Sequence, residues 1–317
     1  MFNKPLKYGL FILGTITAIN LIVIGIFSIA WHNLTYLSIL QVFYFFLASF
    51  VSAFIISLAI FFTAPVLKDY LATFRRLLRL ENLSHPLLMK LSLEAPGTYH
   101  HSLNVANLAY KASKAINADA LLTRIGAYYH DIGKLKNPTF YIENQEKHTK
   151  NVTKELEDPK KSAQIIIEHV TYGIELAKEY NLPTEVIAFI PEHHGTSRIK
   201  YFFELAKKMS LKPSEKDFTY PGPKPLSSET AILMLSDIVE AKIRLVENID
   251  KQKISETVTE SVQEKINDKQ LELSGLTQKQ IDTICQSFIE TLCVMHHQRI
   301  EYPKKEKKDA KFNFKHK

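Results

Sequence analysis

Two pairs of adjacent residues in this sequence have side chains that bind metals, His130-Asp131 in "YHDIGK" and His193-His194 in "EHHGT". His101, His169 and Asp237 are spaced around them and complete the set. Five imidazoles and two carboxylates are the donors that two divalent cations need if one carboxylate bridges them and water fills the remaining positions. The residues therefore predict a binuclear metal centre of a hydrolase.

Each of these residues could also have a purely structural role. The occurrence of all of them in one chain decides between a structural role and metal binding. His101 and His169 lie on apolar helical stretches, where a lone histidine is more often a core residue than a ligand. Two neighbouring imidazoles at His193-His194, however, cannot both point into an apolar core. Asp237 stands among leucine, isoleucine and valine, and a buried carboxylate needs a cation. The coincidence of all these features favours the metal centre.

The elements that must position these donors are helices. Apolar residues recur at helical spacing through most of the chain after residue 84, whereas strand patterns are few. We predict an all-α fold in which a helical bundle follows a two-helix transmembrane hairpin, with loops at 135–160 and 212–227. The first predicted helix begins near Ala95. The others cover about 119–131, 162–180 (with Ser162 as N-cap), 183–194, 228–247 and 277–298.

The amino-terminal part has the composition of a membrane anchor. No Lys, Arg, Asp or Glu occurs from Tyr8 through Leu67, which is too long for one span or a cleaved signal peptide and suits two spans. We place the spans near 8–30 and 38–62, within a membrane region at 1–67 that a basic linker helix at 68–83 follows. Positive charge flanks both outer ends, so we expect both termini and the domain at 84–302 on the cytoplasmic side of the inner membrane.

The charge distribution argues against a nucleic-acid partner. The formal charge is +7, but basic residues are concentrated before residue 80 and in the tail at 303–317, which leaves the central part net negative. A basic groove near the candidate chemistry is therefore not expected. We predict that the tail is solvated and flexible, and its Phe and Lys residues leave open a contact with anionic lipids.

The order H…HD…H…HH…D, together with several longer strings, resembles the HD-domain phosphohydrolase superfamily. The strings "APGTYHHSLNVANLA", "HDIGK", "YIENQ", "EHHGT", "YPGPKP" and "SDIVEA" are similar to the PgpH-type HD domain of the seven-transmembrane HD family over residues 84–302. The resemblance implies that Lys134 lies close to a phosphate and that Arg244 contacts the substrate. It also implies that Asp131 bridges two metal ions, whose full ligand set would be His101, His130, Asp131, His169, His193, His194 and Asp237.

The same resemblance implies an activity. Members of this family are bacterial phosphodiesterases that hydrolyse cyclic di-AMP, and we expect attack by a hydroxide held between two manganese or iron ions to give linear 5′-pApA. They usually carry seven spans and an extracytoplasmic sensing domain, whereas about 67 residues precede the basic linker here. Homodimerisation is possible.

Alternative functions are an HD phosphohydrolase acting on a nucleoside polyphosphate or dNTP, and a membrane receptor that binds a nucleotide without cleaving it. Cyclic di-GMP is disfavoured because no GYP string follows the histidine pair closely.

Overall fold

The structure is a computed structural model of the 317-residue chain, and it describes residues 15, 16, 18–23, 25, 39–145, 158–209 and 211–296. Helices dominate these ranges, which contain no strand and only one isolated bridge, between Arg198 and Thr219. The predicted all-α class is confirmed. The contacts divide the chain into two compact units, 1–78 and 79–317.

The first unit contains most of one long helix, α1 (Ile39–Leu80), and a short helical stretch within residues 15–25. Asn20 donates a hydrogen bond to Ser52 at 2.7 Å, so this stretch lies beside α1. By length and composition, the segment Leu47–Ala64 of α1 is apolar enough to cross a membrane, with a mean hydropathy of 2.3. Much of the predicted span at 8–30 lies outside the described residues, so the two-span arrangement stays a prediction.

Ten helices of the second unit are described, and local sequence explains where several begin. Proline opens three of them, where its missing N–H costs no hydrogen bond. Side chains of Asp119, Asp158, Ser227, Asp250 and Thr277 cap the backbone N–H groups at five starts. The helices are α2 (Pro86–Glu94), α3 (Pro96–Ala115), α4 (Ala120–Tyr129), α5 (Pro159–Glu179), α6 (Thr184–Ile187), α7 (Phe189–Glu192), α8 (Lys200–Lys208), α9 (Ser228–Ile243), α10 (Lys251–Asn267) and α11 (Gln278–Met295).

Helix α9 runs through the middle of this bundle. It packs against α3, α4 and α10, and α11 closes the same core from the side of α3. Ile232, Leu233, Met234 and Leu235 are completely buried, so α9 has no exposed face at this level. A helix that is apolar on all sides is typical of a bundle centre, and Asp237 therefore enters the interior of the fold.

Several predicted boundaries were wrong. Helix α5 begins at Pro159 with Asp158 as its cap, not with Ser162, because the Asp158 carboxylate accepts from the first N–H groups. The segment predicted as one helix at 183–194 is split into α6 and α7. Pro191 explains the break, since it has no N–H to donate to the carbonyl four residues earlier. Helices α2, α8 and α10 were not predicted.

The predicted loop at 135–160 contains short 3₁₀ turns at Pro138–Phe140 and Ile142–Asn144. Its residues 146–157 lie outside the described residues.

Candidate metal centre

The seven predicted donors converge at one place in the second unit. They form overlapping groups of three whose donor atoms lie within 4.8 Å of one another. Helices α3, α5 and α9 and the segments that follow α4 and α7 supply them. The two groups that share no member are His101, His130 and Asp237 on one side and His169, His193 and His194 on the other. Their role as metal ligands stays a prediction.

Asp131 lies between these two groups. Its Oδ2 is 3.2 Å from Nε2 of His130 and 3.6 Å from Nε2 of His101. Its Oδ1 is 3.5 Å from Nε2 of His169 and 3.7 Å from Nε2 of His193. One oxygen faces each group, which is the geometry that a carboxylate bridging two cations needs.

Backbone carbonyl groups fix the orientation of three of the imidazole rings. In three rings Nδ1 lies within hydrogen-bond distance of a backbone carbonyl. A carbonyl oxygen only accepts, so Nδ1 carries the hydrogen and Nε2 presents its lone pair to the centre. The acceptors are Ala127 for His130, Ile166 for His169 and Ile190 for His193.

The atoms that point inward have no partner of their own. Nε2 of His130, His169 and His193 and Oδ1 of Asp131 are buried without a hydrogen bond among the described residues. Such atoms are rare in folded proteins, and each one costs about 1–3 kcal/mol. Divalent cations would satisfy all four atoms at once, so the donor set fits a pair of metal ions.

The charge states also suit cation binding. Burial lowers the pKa of His193 to about 3 and moves the pKa of His169 and His194 in the same direction, so these rings are neutral donors. Burial alone would raise the pKa of Asp131 and Asp237, but the Lys134 ammonium outweighs it at Asp131 and the hydrogen bond with His101 outweighs it at Asp237, so the pKa of both is lowered. The two carboxylates are therefore ionised and available to a metal.

Lys134 lies beside Asp131 on a 3₁₀ turn, Ile132–Lys136, rather than on a continuing α-helix. Its Nζ is 2.8 Å from Oδ2 of Asp131 and 2.7 Å from Oε1 of Glu143. Burial would lower the pKa of Lys134, but these two carboxylates outweigh it and raise the pKa. The ammonium is thus held charged at the edge of the centre.

Gly133 in the same turn allows a very close approach to α5. A Cβ atom at this position would lie 1.8 Å from the backbone oxygen of His169, so any side chain would force the two segments apart. The glycine of the "HDIGK" string therefore joins the turn that carries Asp131 to the helix that carries His169.

Comparison with known proteins identifies the family. The HD domain family matches residues 98–242. The crystal structure of the HD domain of the phosphodiesterase PgpH from L. monocytogenes superimposes with a TM-score of 0.64 and 39% identity, covering 68% of this chain and 100% of that chain. The chain belongs to the PgpH-type HD-domain family.

A second structure of the same domain and one further PgpH protein are also similar to this chain. The complex of the L. monocytogenes PgpH HD domain with cyclic-di-AMP has a TM-score of 0.65 and 40% identity, covering 69% of this chain and 100% of that chain. Cyclic-di-AMP phosphodiesterase PgpH of Bacillus subtilis is 40% identical over 309 residues, which is 96% of this chain. The chain spans 42% of the length of that relative.

Arg244, predicted to contact the substrate, lies at the exposed C-terminal cap of α9. It follows Asp237 by seven residues, which is about 10 Å along a helix axis. The structure gives it no contact with the donors among the described residues, so its role stays a prediction. Tyr220 was not predicted to take part, yet its ring stacks on His194 with centroids 4.1 Å apart.

Glu240 is a further functional candidate that the sequence did not reveal. Its Oε2 lies 2.6 Å from Nδ1 of His101, and Asn104 donates to its Oε1 at 3.3 Å. Only 4% of the residue is exposed. Its position one helical turn after Asp237 in "SDIVEA" was the available signal. Glu240 orients His101 in the way that backbone carbonyls orient the other rings.

Replacement of Glu240 by glutamine is expected to lower the affinity for Mn²⁺ about 10- to 100-fold, because a carboxylate that holds a ligand histidine also raises its basicity. The affinity can be measured by competition with a fluorescent chelator. The matched control is Glu247→Gln, an exposed glutamate beyond the end of α9. Equal affinities of the Glu240 variant and the native chain would contradict this role.

Proposed function

We propose that this chain is a membrane-anchored, metal-dependent phosphodiesterase that hydrolyses cyclic di-AMP to 5′-pApA. The observation that carries the proposal is the position of Asp131 between two groups of donors with unpartnered Nε2 atoms. The support for the substrate is the 40% identity to the PgpH HD domain that was crystallised with cyclic-di-AMP. The segment Leu47–Ala64 supports anchoring through its length and apolar composition.

The seven donors would hold two divalent cations, with one oxygen of Asp131 directed to each. When bound, the cations supply a water of lowered pKa and positive charge at the phosphoryl oxygens. Mixed imidazole and carboxylate ligands suit manganese or iron better than magnesium or calcium. The buried walls around His130 and His193 exclude bulk water, which strengthens every charge interaction in the centre.

Lys134 would act on the scissile phosphate directly. Its ammonium is positioned by Asp131 and Glu143 before substrate arrives, and Thr98 donates a hydrogen bond to the same Glu143 oxygen. A cation fixed in advance at a buried site stabilises charge that develops on phosphate oxygens at little reorganisation cost. We assign Lys134 this electrostatic role and Glu143 the role of positioning it.

The 317-residue chain, purified in detergent and loaded with Mn²⁺, is expected to convert cyclic di-AMP to 5′-pApA and to leave cyclic di-GMP and dNTPs largely intact. Removal of the metal with a chelator should stop turnover, and added Mn²⁺ should restore it. Chromatography of the products provides the measurement.

Two outcomes would overturn the assignment. Turnover of dNTPs or nucleoside polyphosphates without cleavage of cyclic di-AMP would favour the other class of HD phosphohydrolase. Tight binding of cyclic di-AMP without any product, in a chain that retains its metals, would indicate a receptor.

A further inference from the structure

A cavity of about 460 Å³ lies beside the turn that follows His194, and none of the seven donors lines it. Thr196, two residues after His194, lies in one wall, and Thr219, the residue before Tyr220, lies in another. Tyr220 stacks on the donor His194. Each of these two rings is therefore followed or preceded within two residues by a residue that lines the cavity. The volume lies within the range of roughly 300–1,000 Å³ that is usual for small-molecule sites.

A buried lysine lies beside this cavity. Lys265 on α10 is only 8% exposed, and its Nζ donates a hydrogen bond at 2.8 Å to Oγ of Ser197, which lines the cavity. In the part of the chain that the structure describes, no carboxylate lies within 4 Å of this ammonium. A buried lysine without an acidic partner is uncommon, because burial of a charge is costly unless it is paired.

The nearby carboxylates are engaged by other lysines. Glu264, the preceding residue, is paired with Lys200 and Lys242, and Asp268 lies 3.6 Å from Lys200. Burial lowers the pKa of Lys265, and among carboxylates Asp237 of the metal centre counteracts this effect most strongly. An ammonium has three donors, and the hydrogen bond to Ser197 leaves donors of Lys265 for an anion.

The structure of the adjacent turn does not require a charge. Gln270 already fixes this turn, since its Oε1 accepts from the backbone N–H of Thr196 at 3.0 Å. Gly195 packs so closely that a Cβ there would lie 2.4 Å from the same oxygen. A neutral side chain thus holds the turn, and the charge of Lys265 calls for a different explanation.

We propose that Lys265 binds the phosphodiester of the cyclic dinucleotide that is not being cleaved. The inference rests on the proposed function. A cyclic dinucleotide has two phosphodiester groups, and when one lies at the metal centre the other projects away from it with its own negative charge. Lys265 lies directly behind Ser197, which lines the cavity, so this pair offers the second group a buried ammonium without a carboxylate partner and one hydroxyl group.

The test compares two substrates in the Mn²⁺-loaded 317-residue chain. Cyclic di-AMP has two phosphodiesters, whereas bis(4-nitrophenyl) phosphate has only one. Lys265→Met is expected to raise KM for cyclic di-AMP about 10- to 100-fold, as for loss of a hydrogen bond to a charged group. Its kcat/KM for the aryl phosphodiester should stay within about twofold. Lys251→Met, an exposed lysine at the start of α10, is the matched control and should change neither substrate.

Ser197→Ala separates phosphate binding from a structural role, because it removes the hydrogen bond to the turn but keeps the ammonium. Its KM for cyclic di-AMP should rise much less than in Lys265→Met. Equal losses in both variants, equal losses on both substrates, or an unchanged KM in Lys265→Met would overturn the proposal. If the native chain cleaves the aryl phosphodiester but not cyclic di-AMP, the proposed function itself fails and the role of Lys265 fails with it.

Discussion

Replacement of Asp131 by alanine is expected to reduce kcat/KM for cyclic di-AMP by a factor on the order of 10³ or more. Each oxygen of this carboxylate faces one group of donors, so its removal would weaken both cation positions together. The charge that two metals place at a phosphate is worth several kcal/mol in the transition state, and each 1.36 kcal/mol corresponds to a factor of ten. Steady-state kinetics and metal analysis of the purified variant provide the measurement.

The control for this experiment is Asp282→Ala, since Asp282 is an exposed carboxylate on α11. It should retain native activity and metal content. If the Asp131 variant kept two metal ions per chain and turned over at the native rate, the bridging role would be wrong.

Replacement of Lys134 by methionine is expected to lower kcat about 10²- to 10³-fold while the metal content is retained. This is the usual cost of removing one fixed group that stabilises developing charge. Methionine keeps most of the length of the side chain and removes only the ammonium that lies between Asp131 and Glu143. Single-turnover kinetics would separate the chemical step from product release.

Lys136→Met is the matched control, because Lys136 lies on the same 3₁₀ turn with a side chain that is 42% exposed and paired with Glu168. It should leave kcat unchanged. Glu143→Gln is expected to give a smaller loss than Lys134→Met, since it loosens the ammonium without removing it. A Lys134 variant with native kcat would exclude this lysine from the chemistry.

The convergence of the donors could be predicted because most of them occur in short, recognisable sequence motifs. Adjacent pairs such as His130-Asp131 and His193-His194 stand out in a sequence, and a lone acid in an apolar helix, as at Asp237, demands a cation. The all-α class followed from helical periodicity in the same way. These features need only short-range information.

The groups that support the donors could not be predicted from such patterns. Glu240 reaches His101 across 139 positions of the chain, and Lys265 reaches Ser197 across 68. Apart from the position of Glu240 one helical turn after Asp237, nothing in the spacing of these residues distinguishes them from the solvated acids and lysines that surround them. Only tertiary packing decides which charged side chains of a helical bundle become buried.

The close approach at Gly133 has a consequence for the choice of metal ion. Since backbone meets backbone there, the distance between the turn of Asp131 and helix α5 cannot shrink or expand through a change of side-chain torsion. If the proposed cations bind, differences in their radius would be accommodated by rotation of the Asp131 side chain rather than by movement of these two segments. The proposed centre would then accept cations of different size without movement of the turn or of α5.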